Sequence, residues 1–260
     1  GDRSTSQVDL GNAYIHAEGT YRAPGYLIVR ALSDTSATDA VKVDAVSGLA
    51  GLAVATTFQN IHADTLVDMD GAHIDSLTSD VKIETRATMR NTADAAVFQA
   101  GTFSANMGIE TVSSTTSKTN IGVKNSVIEG KRVEISAGKA NGTVNSTVSR
   151  TAANGTLMSL GISLGVAVQT NATDRISKVD IDSTTRINSA GNIMLSAERG
   201  LFQSSHDGLV LVLAIPPYGY NVANRGEHTG EATVTIDQGA RLRAGVNYRT
   251  VYEVAYVGPN

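Results

Sequence analysis

Around residue 179 polar and apolar residues alternate without a break, as Lys178-Val179-Asp180-Ile181-Asp182. A period of two marks a strand with one buried face. The same short pattern recurs at Val8-Asp9-Leu10, Val67-Asp68-Met69, Ile121-Gly122-Val123 and Val234-Thr235-Ile236, at intervals of 59, 54, 58 and 55 residues along the series. A second apolar anchor follows seven or eight residues after each first one: Ile15, Ile74, Ile128, Ile187 and Leu242. A third strand-like element comes next, at Leu27-Ile28-Val29-Arg30-Ala31, Val81-Lys82-Ile83-Glu84-Thr85, Val133-Glu134-Ile135-Ser136-Ala137 and Ile193-Met194-Leu195-Ser196-Ala197. Its fifth copy, near Val246-Asn247-Tyr248-Arg249-Thr250, is degenerate.

The rest of each unit is a run of small apolar residues. Leu52-Ala53-Val54 and Leu164-Gly165-Val166-Ala167-Val168 each begin fifteen residues before an anchor. Met107-Gly108-Ile109 and Tyr218-Gly219-Tyr220-Asn221-Val222 occupy roughly the same slot. Turn residues such as Ser189-Ala190-Gly191-Asn192 separate the elements, with Gly and Asn expected in the left-handed conformation. Helical periodicity is nearly absent, and β-branched residues crowd the chain. Ala87 to Val97 is the one segment that a helical stripe could claim.

A fixed period predicts one supersecondary unit copied and stacked, so the expected fold is all-β. Its expected form is a β-solenoid of about five ~57-residue repeats. Two or three coils per unit, stacked ~4.8 Å apart, predict a rod roughly 45–70 Å long. Val, Ile, Leu and Ala should face inward, and Thr, Ser, Asp, Asn and Lys outward. The chain reads as one continuous segment over 1–260, and its start at Gly1-Asp2-Arg3 suggests a processed product or a piece of a longer protein. The two ends of such a stack are raw sheet edges, open to end-to-end association.

Composition narrows the partners. A net charge of −4 with 18% charged residues and no basic run argues against nucleic acid and anionic membrane surfaces. The absence of Cys excludes thiol catalysis, Cys-ligated zinc and a disulfide framework, and suits export through an oxidising space. The longest apolar run, Leu209 to Ile215, ends at Pro216-Pro217, well short of the ~20 residues of a membrane span.

Candidate chemistry is sparse. His16, His62, His73, His206 and His228 have no paired metal-ligand spacing. Asp68/Asp70 and Asp180/Asp182 put two carboxylates on one strand face, an arrangement that suits glycoside cleavage or calcium but is also the ordinary solvent face of a strand. Gly-Gly-x-Gly-x-Asp repeats, nucleophile elbows, phosphate loops and His-Glu-x-x-His are absent. The expectation is therefore no catalytic residue, no cofactor and no metal. The eight Tyr gather toward the two ends of the sequence, and Tyr218, Tyr220, Tyr248 and Tyr252 form a candidate glycan or partner contact, against the simpler reading of terminal packing. Asn141, Asn145, Asn154 and Asn171 each begin an Asn-x-Thr/Ser triplet, read as coincidence in a Thr-rich chain.

Two segments carry a family likeness: Ala232-Thr233-Val234-Thr235-Ile236-Asp237-Gln238-Gly239-Ala240-Arg241-Leu242-Arg243-Ala244-Gly245 and Ile187-Asn188-Ser189-Ala190-Gly191-Asn192-Ile193-Met194-Leu195-Ser196-Ala197. With the Leu-Gly-Val-Ala-Val strand upstream, the chain resembles the large repetitive exoproteins of Gram-negative bacteria. The likeness is to leukotoxin-type filamentous adhesin repeats and, more loosely, the filamentous-haemagglutinin class. Pro216-Pro217-Tyr218-Gly219-Tyr220 and the Tyr-containing tail depart from the pattern. The resemblance implies a right-handed parallel β-helix, an extracellular or bacterial cell-surface location, and a structural or adhesive role as stalk, adhesin or fibre subunit in filament or biofilm. Self-association into a filament is the expected partnership, with a host surface or polysaccharide as a further one. Rival readings are a self-assembling extracellular sheath and a β-helical polysaccharide lyase or hydrolase.

Overall fold

The computed structural model describes residues 2–19, 25–215 and 218–245. Among them every regular element is a strand, and the long strands lie in two parallel sheets. The first sheet is Asp2–Gly11, Ala50–Asp70, Ser104–Lys124, Ile162–Ile181 and Tyr218–Ile236, side by side in that order. The second sheet begins with Tyr14–His16 and Gly25–Ser47, followed by His73–Gly101. Its next level is Val127–Ala137 with Ser146–Ser159, and a further level is broken into Arg186–Ser189, Ile193–Ala197, Leu201–Asp207 and Val210–Ala214. Arg241–Arg243 adds one more short strand. The chain alternates between the sheets, so each unit contributes one passage to each.

The sequence anchors are the register. Val8, Val67, Ile121, Val179 and Val234 stand side by side across the first sheet. Ile15, Ile74, Ile128, Ile187 and Leu242 do the same across the second. Leu27, Val81, Val133 and Ile193 form a third row. The period of the sequence is therefore the step from one strand to its neighbour. The expected two or three coils per unit are replaced by a single circuit. The small-residue run and the anchor after it are one strand: Leu52 and Val67 both lie in Ala50–Asp70. Ala87 to Val97 belongs to the 29-residue strand His73–Gly101, where Ala87, Met89, Asn91, Ala93, Ala95 and Val97 are buried at every second position.

Proportions change accordingly. Five strands at ~4.8 Å make the first sheet about 20 Å across, whereas strands of 20 and 21 residues extend roughly 65–70 Å. The long dimension follows the strands, not the stack.

Side chains from both sheets meet between them. At one end Val67, Met69, Ile121, Val123, Val179 and Ile181 of the first sheet pack with Ile74, Ile83, Ile128, Ile135 and Ile187 of the second. Each fully buried side chain of this size contributes about 1.5–3 kcal/mol. A second cluster, with Ala55, Val97, Met107, Ile109 and Leu157, lies toward the other end. Between them a small apolar cluster of Ala37, Ile61, Ala63, Ala87 and Met89 is interleaved with buried hydroxyls. Thr111, Ser113, Thr115, Ser117 and Thr119 all point inward from one strand, so Thr and Ser line the interior as well as the surface. They are tied by hydrogen bonds between hydroxyls, Ser113–Ser149 at 2.7 Å and Thr119–Ser177 at 2.7 Å, and from Thr115 to Thr173 at 3.0 Å. Buried Asn145 accepts the Ala87 N–H at 2.8 Å and donates to Thr119 and Ser177.

The two turns of each circuit differ. At the corner after the first sheet, Asn12, Gly71 and Asn125 hold φ of 46°, 77° and 46°, the left-handed region that Gly and Asn enter most readily. The Asn12 N–H donates to the Asp70 carbonyl at 2.9 Å, and the Gly71 N–H to that of Lys124 at 3.1 Å. One circuit on, the Asp182 carboxylate accepts the N–H of Asn125 and of Thr185 and the hydroxyls of Thr184 and Thr185. The opposite turn is held by backbone bonds, Phe103 N–H to the Leu49 carbonyl at 2.9 Å and Leu160 N–H to that of Thr102 at 3.1 Å, and by the Ser159 hydroxyl, which accepts the Gly161 N–H at 3.2 Å and meets the Ser163 hydroxyl at 2.7 Å. Gly191, expected in the left-handed region, is absent from the positive-φ positions. It is a close-approach glycine, its N–H 2.7 Å from the Lys131 carbonyl, which an added Cβ would meet at 3.0 Å.

Candidate interaction surfaces

Of the four candidate tyrosines, Tyr218 and Tyr220 fall on one described strand. Tyr220 is 62% exposed on the outermost strand of the first sheet, aligned with Gly165. Tyr218 begins that strand, and Tyr248 and Tyr252 lie outside the described residues. Tyr14 and Tyr26 are exposed near the opposite edge of the stack, Tyr14 donating to Asp75 at 3.2 Å and tilted against His73.

The carboxylate pairs and histidines are dispersed. Among the described residues no three His, Asp or Glu side chains stand close enough to hold a metal ion. Asp68 lies 4.0 Å from Lys124 Nζ. Asp182 is a turn acceptor. Burial pushes its carboxyl upward, but bonds from Thr185, Thr184 and the Asn125 N–H outweigh this and hold it below the ordinary range. His16 sits between Glu18 and Asp75, and the Glu18 hydrogen bond raises its imidazole above the usual value. Of the Asn-x-Thr/Ser positions, Asn145 and Asn171 are buried and serve the interior network. Asn154 accepts the Leu209 N–H at 3.1 Å.

Two features were not singled out in the sequence. The first is an apolar ridge at the turn opposite the Asn12, Gly71 and Asn125 corner. Leu49, Phe103 and Leu160 succeed one another there at 68%, 65% and 67% exposure. Val46 and Met158 flank them on the second sheet, both beside Ala100, and Leu52, Ile162 and Leu164 on the first. A shallow hollow of about 380 Å³, lined by Val46, Ala100, Met158, Leu160 and Leu213 without a charged group, adjoins the ridge. The signal was present as single Leu or Phe residues in glycine-marked turns, Gly48-Leu49, Gly101-Thr102-Phe103 and Leu160-Gly161.

The second feature lies at the strand Tyr218–Ile236, the outermost described strand of the first sheet. That strand pairs with Ile162–Ile181 on one side and with no described strand on the other. Its core-register residues Val222, Val234 and Ile236 are exposed. Beside them Arg175 lies over the Phe202 ring, 4.9 Å from its centroid, and His228 meets the same ring at 4.4 Å.

No family model, curated protein or solved structure matches the chain.

Proposed function

We propose that the chain is a non-enzymatic structural or adhesive repeat module, a right-handed parallel β-solenoid from a secreted or cell-surface bacterial filamentous protein. It works as a stiff stalk, adhesin or fibre subunit. The observation that carries this reading is the continuity of register: one row of Val and Ile anchors crosses the whole first sheet. Repetition of this kind builds extended surface and rigidity, since each level contacts only its neighbours. The lack of Cys and the likeness of Ile187 to Ala197 to filamentous adhesin repeats support the extracellular setting.

The occupant of the apolar ridge is a second copy of the chain. Its nine flanking and crest side chains, Val46 to Leu213, expose on the order of 1,000 Å², beyond the ~300–600 Å² typical of a monomer's largest apolar patch. That meets the ~800 Å² per partner of a standard interface. An uncharged strip is self-compatible, as an isologous contact requires. The open edge Tyr218–Ile236 favours a second reading, a sheath-like polymer joined edge to edge.

Light scattering and negative-stain microscopy across a dilution series decide between them. Leu160→Glu should reduce paired particles to monomers at micromolar concentration while leaving the β-sheet spectrum unchanged. Fibres that survive Leu160→Glu would assign assembly to the edge; wild-type monomers at every concentration would overturn self-association.

A further inference from the structure

The described interior is neutral over most of its length, and it becomes cationic beside Tyr218–Ile236. Arg175 continues the inward series of Thr173 and Ser177 and is aligned with buried Ser117 on one side and Gly230 on the other. Its Nη1 donates to the Gly200 carbonyl at 3.2 Å, and its Nε is buried without a hydrogen-bond partner. Arg199 reaches across from the second sheet, and its Nη1 donates to the Gly230 carbonyl at 3.3 Å, on the residue paired with Arg175. A Cβ on Gly230 would stand 2.8 Å from Arg199 Cδ, so the missing side chain makes room for the arginine to lie there. His228 stacks beside Phe202, and His206 contacts Thr151 at 3.0 Å and lies close enough to His228 for the two to repel.

Four carboxylates of this region are committed elsewhere. Asp174 accepts from Thr229, Glu231 pairs with Lys178, Asp207 with Arg150, and Glu198 with Lys139. Among the described residues no carboxylate stands within ion-pair distance of Arg175 or Arg199. Like charges brought together in a partly desolvated place repel, and burial followed by the Arg199 charge accordingly lowers Arg175 from its ordinary value. A counter-anion relieves that cost. Two guanidiniums offer forked donors that match a planar carboxylate or a sulfate, and partial burial strengthens the bonds.

We propose that this cluster is an anion site for a carboxylate or sulfate group, held by Arg175 and Arg199 and closed on one side by Phe202 and His228. A free oxyanion and the acid group of an acidic polysaccharide offer the same chemistry. The inference is independent of whether two copies pair through the ridge.

Calorimetric titration and thermal melts with sodium sulfate at pH 6, in chloride-balanced ionic strength, test it. Sulfate at ten times its dissociation constant should raise the melting temperature by about 3–6 °C, saturably. Arg199→Gln, on the surface, should weaken binding at least tenfold with the unliganded melting point nearly unchanged; Arg175→Lys is the second variant and should also weaken it. An oligogalacturonate that binds more tightly than sulfate and is displaced by it assigns the site to an acidic glycan. Equal millimolar binding of sulfate and galacturonate assigns it to free anions. An unsaturable sulfate effect, or one identical in Arg199→Gln, overturns the proposal.

Discussion

The two turns of each circuit connect the same pair of sheets yet are built in opposite ways. At the Asn12, Gly71 and Asn125 corner, left-handed residues stack and Asp182 collects N–H and hydroxyl donors, while Ile74, Ile128 and Ile187 seal the core just inside. At the Leu49, Phe103 and Leu160 turn, backbone bonds and the Ser159 hydroxyl close the loop while the apolar side chains stand in solvent. The first corner is finished within the chain, with its polar groups paired and its apolar groups covered. The second leaves its apolar crest in solvent. The covered core corner and the exposed apolar turn thus lie at opposite ends of the same strands.

The comparison breaks most sharply by cavity. Ile128 is fully buried between Ile74 and Ile187, so Ile128→Ala should cost about 2–5 kcal/mol in urea unfolding. Leu160→Ala at the opposite turn should change the unfolding free energy of the monomer by less than about 0.5 kcal/mol. Equal losses at the two positions would mean that the ridge is part of the core after all.

Between the corners, the polar interior should respond at an intermediate level. Asn145→Ala strands the buried Ala87 N–H and removes donors to Thr119 and Ser177, a cost of about 1–3 kcal/mol. Slow exchange of the Ala87 amide in wild type, lost selectively in the variant, is the matching hydrogen-exchange signature.

How much of this was legible follows from where the alternation is visible. Val179-Asp180-Ile181 alternates in character as well as in direction, so the anchors and their period could be read and proved to be the register itself. Thr111 to Thr119 alternates only in direction, because Thr and Ser occupy both faces; the inward hydroxyl network left no mark. The small-residue runs hid the circuit for a related reason. Gly, Ala and Thr serve turns and thin strands alike, and a strand of 21 residues is far longer than the usual five or six, so one passage was divided into several. The cationic cluster was invisible because Arg175, Arg199, Phe202 and His228 meet only through pairing between circuits.

The smallest effect sharpens the account of the polar corner and carries a pH signature. Asp182 is partly buried, and its carboxylate holds the Asn125 N–H of the neighbouring circuit together with its own turn, so Asp182→Ala should cost about 1 kcal/mol at pH 7. Because its folded carboxyl lies below the ordinary 3.8, the unfolded chain binds the proton more readily, and the stabilisation is full above that ordinary value. It is lost as pH falls through the lower folded value. Wild type should therefore exceed Asp182→Ala in melting temperature at neutral pH, with the gap closing below about pH 4 as the carboxylate is neutralised. No titratable group lies on the crest formed by Leu49, Phe103 and Leu160, so Leu160→Ala should show no such closing gap. A gap for Asp182→Ala that stays constant down to pH 2 would mean that the turn is held by its hydroxyl and backbone bonds, with the charge irrelevant.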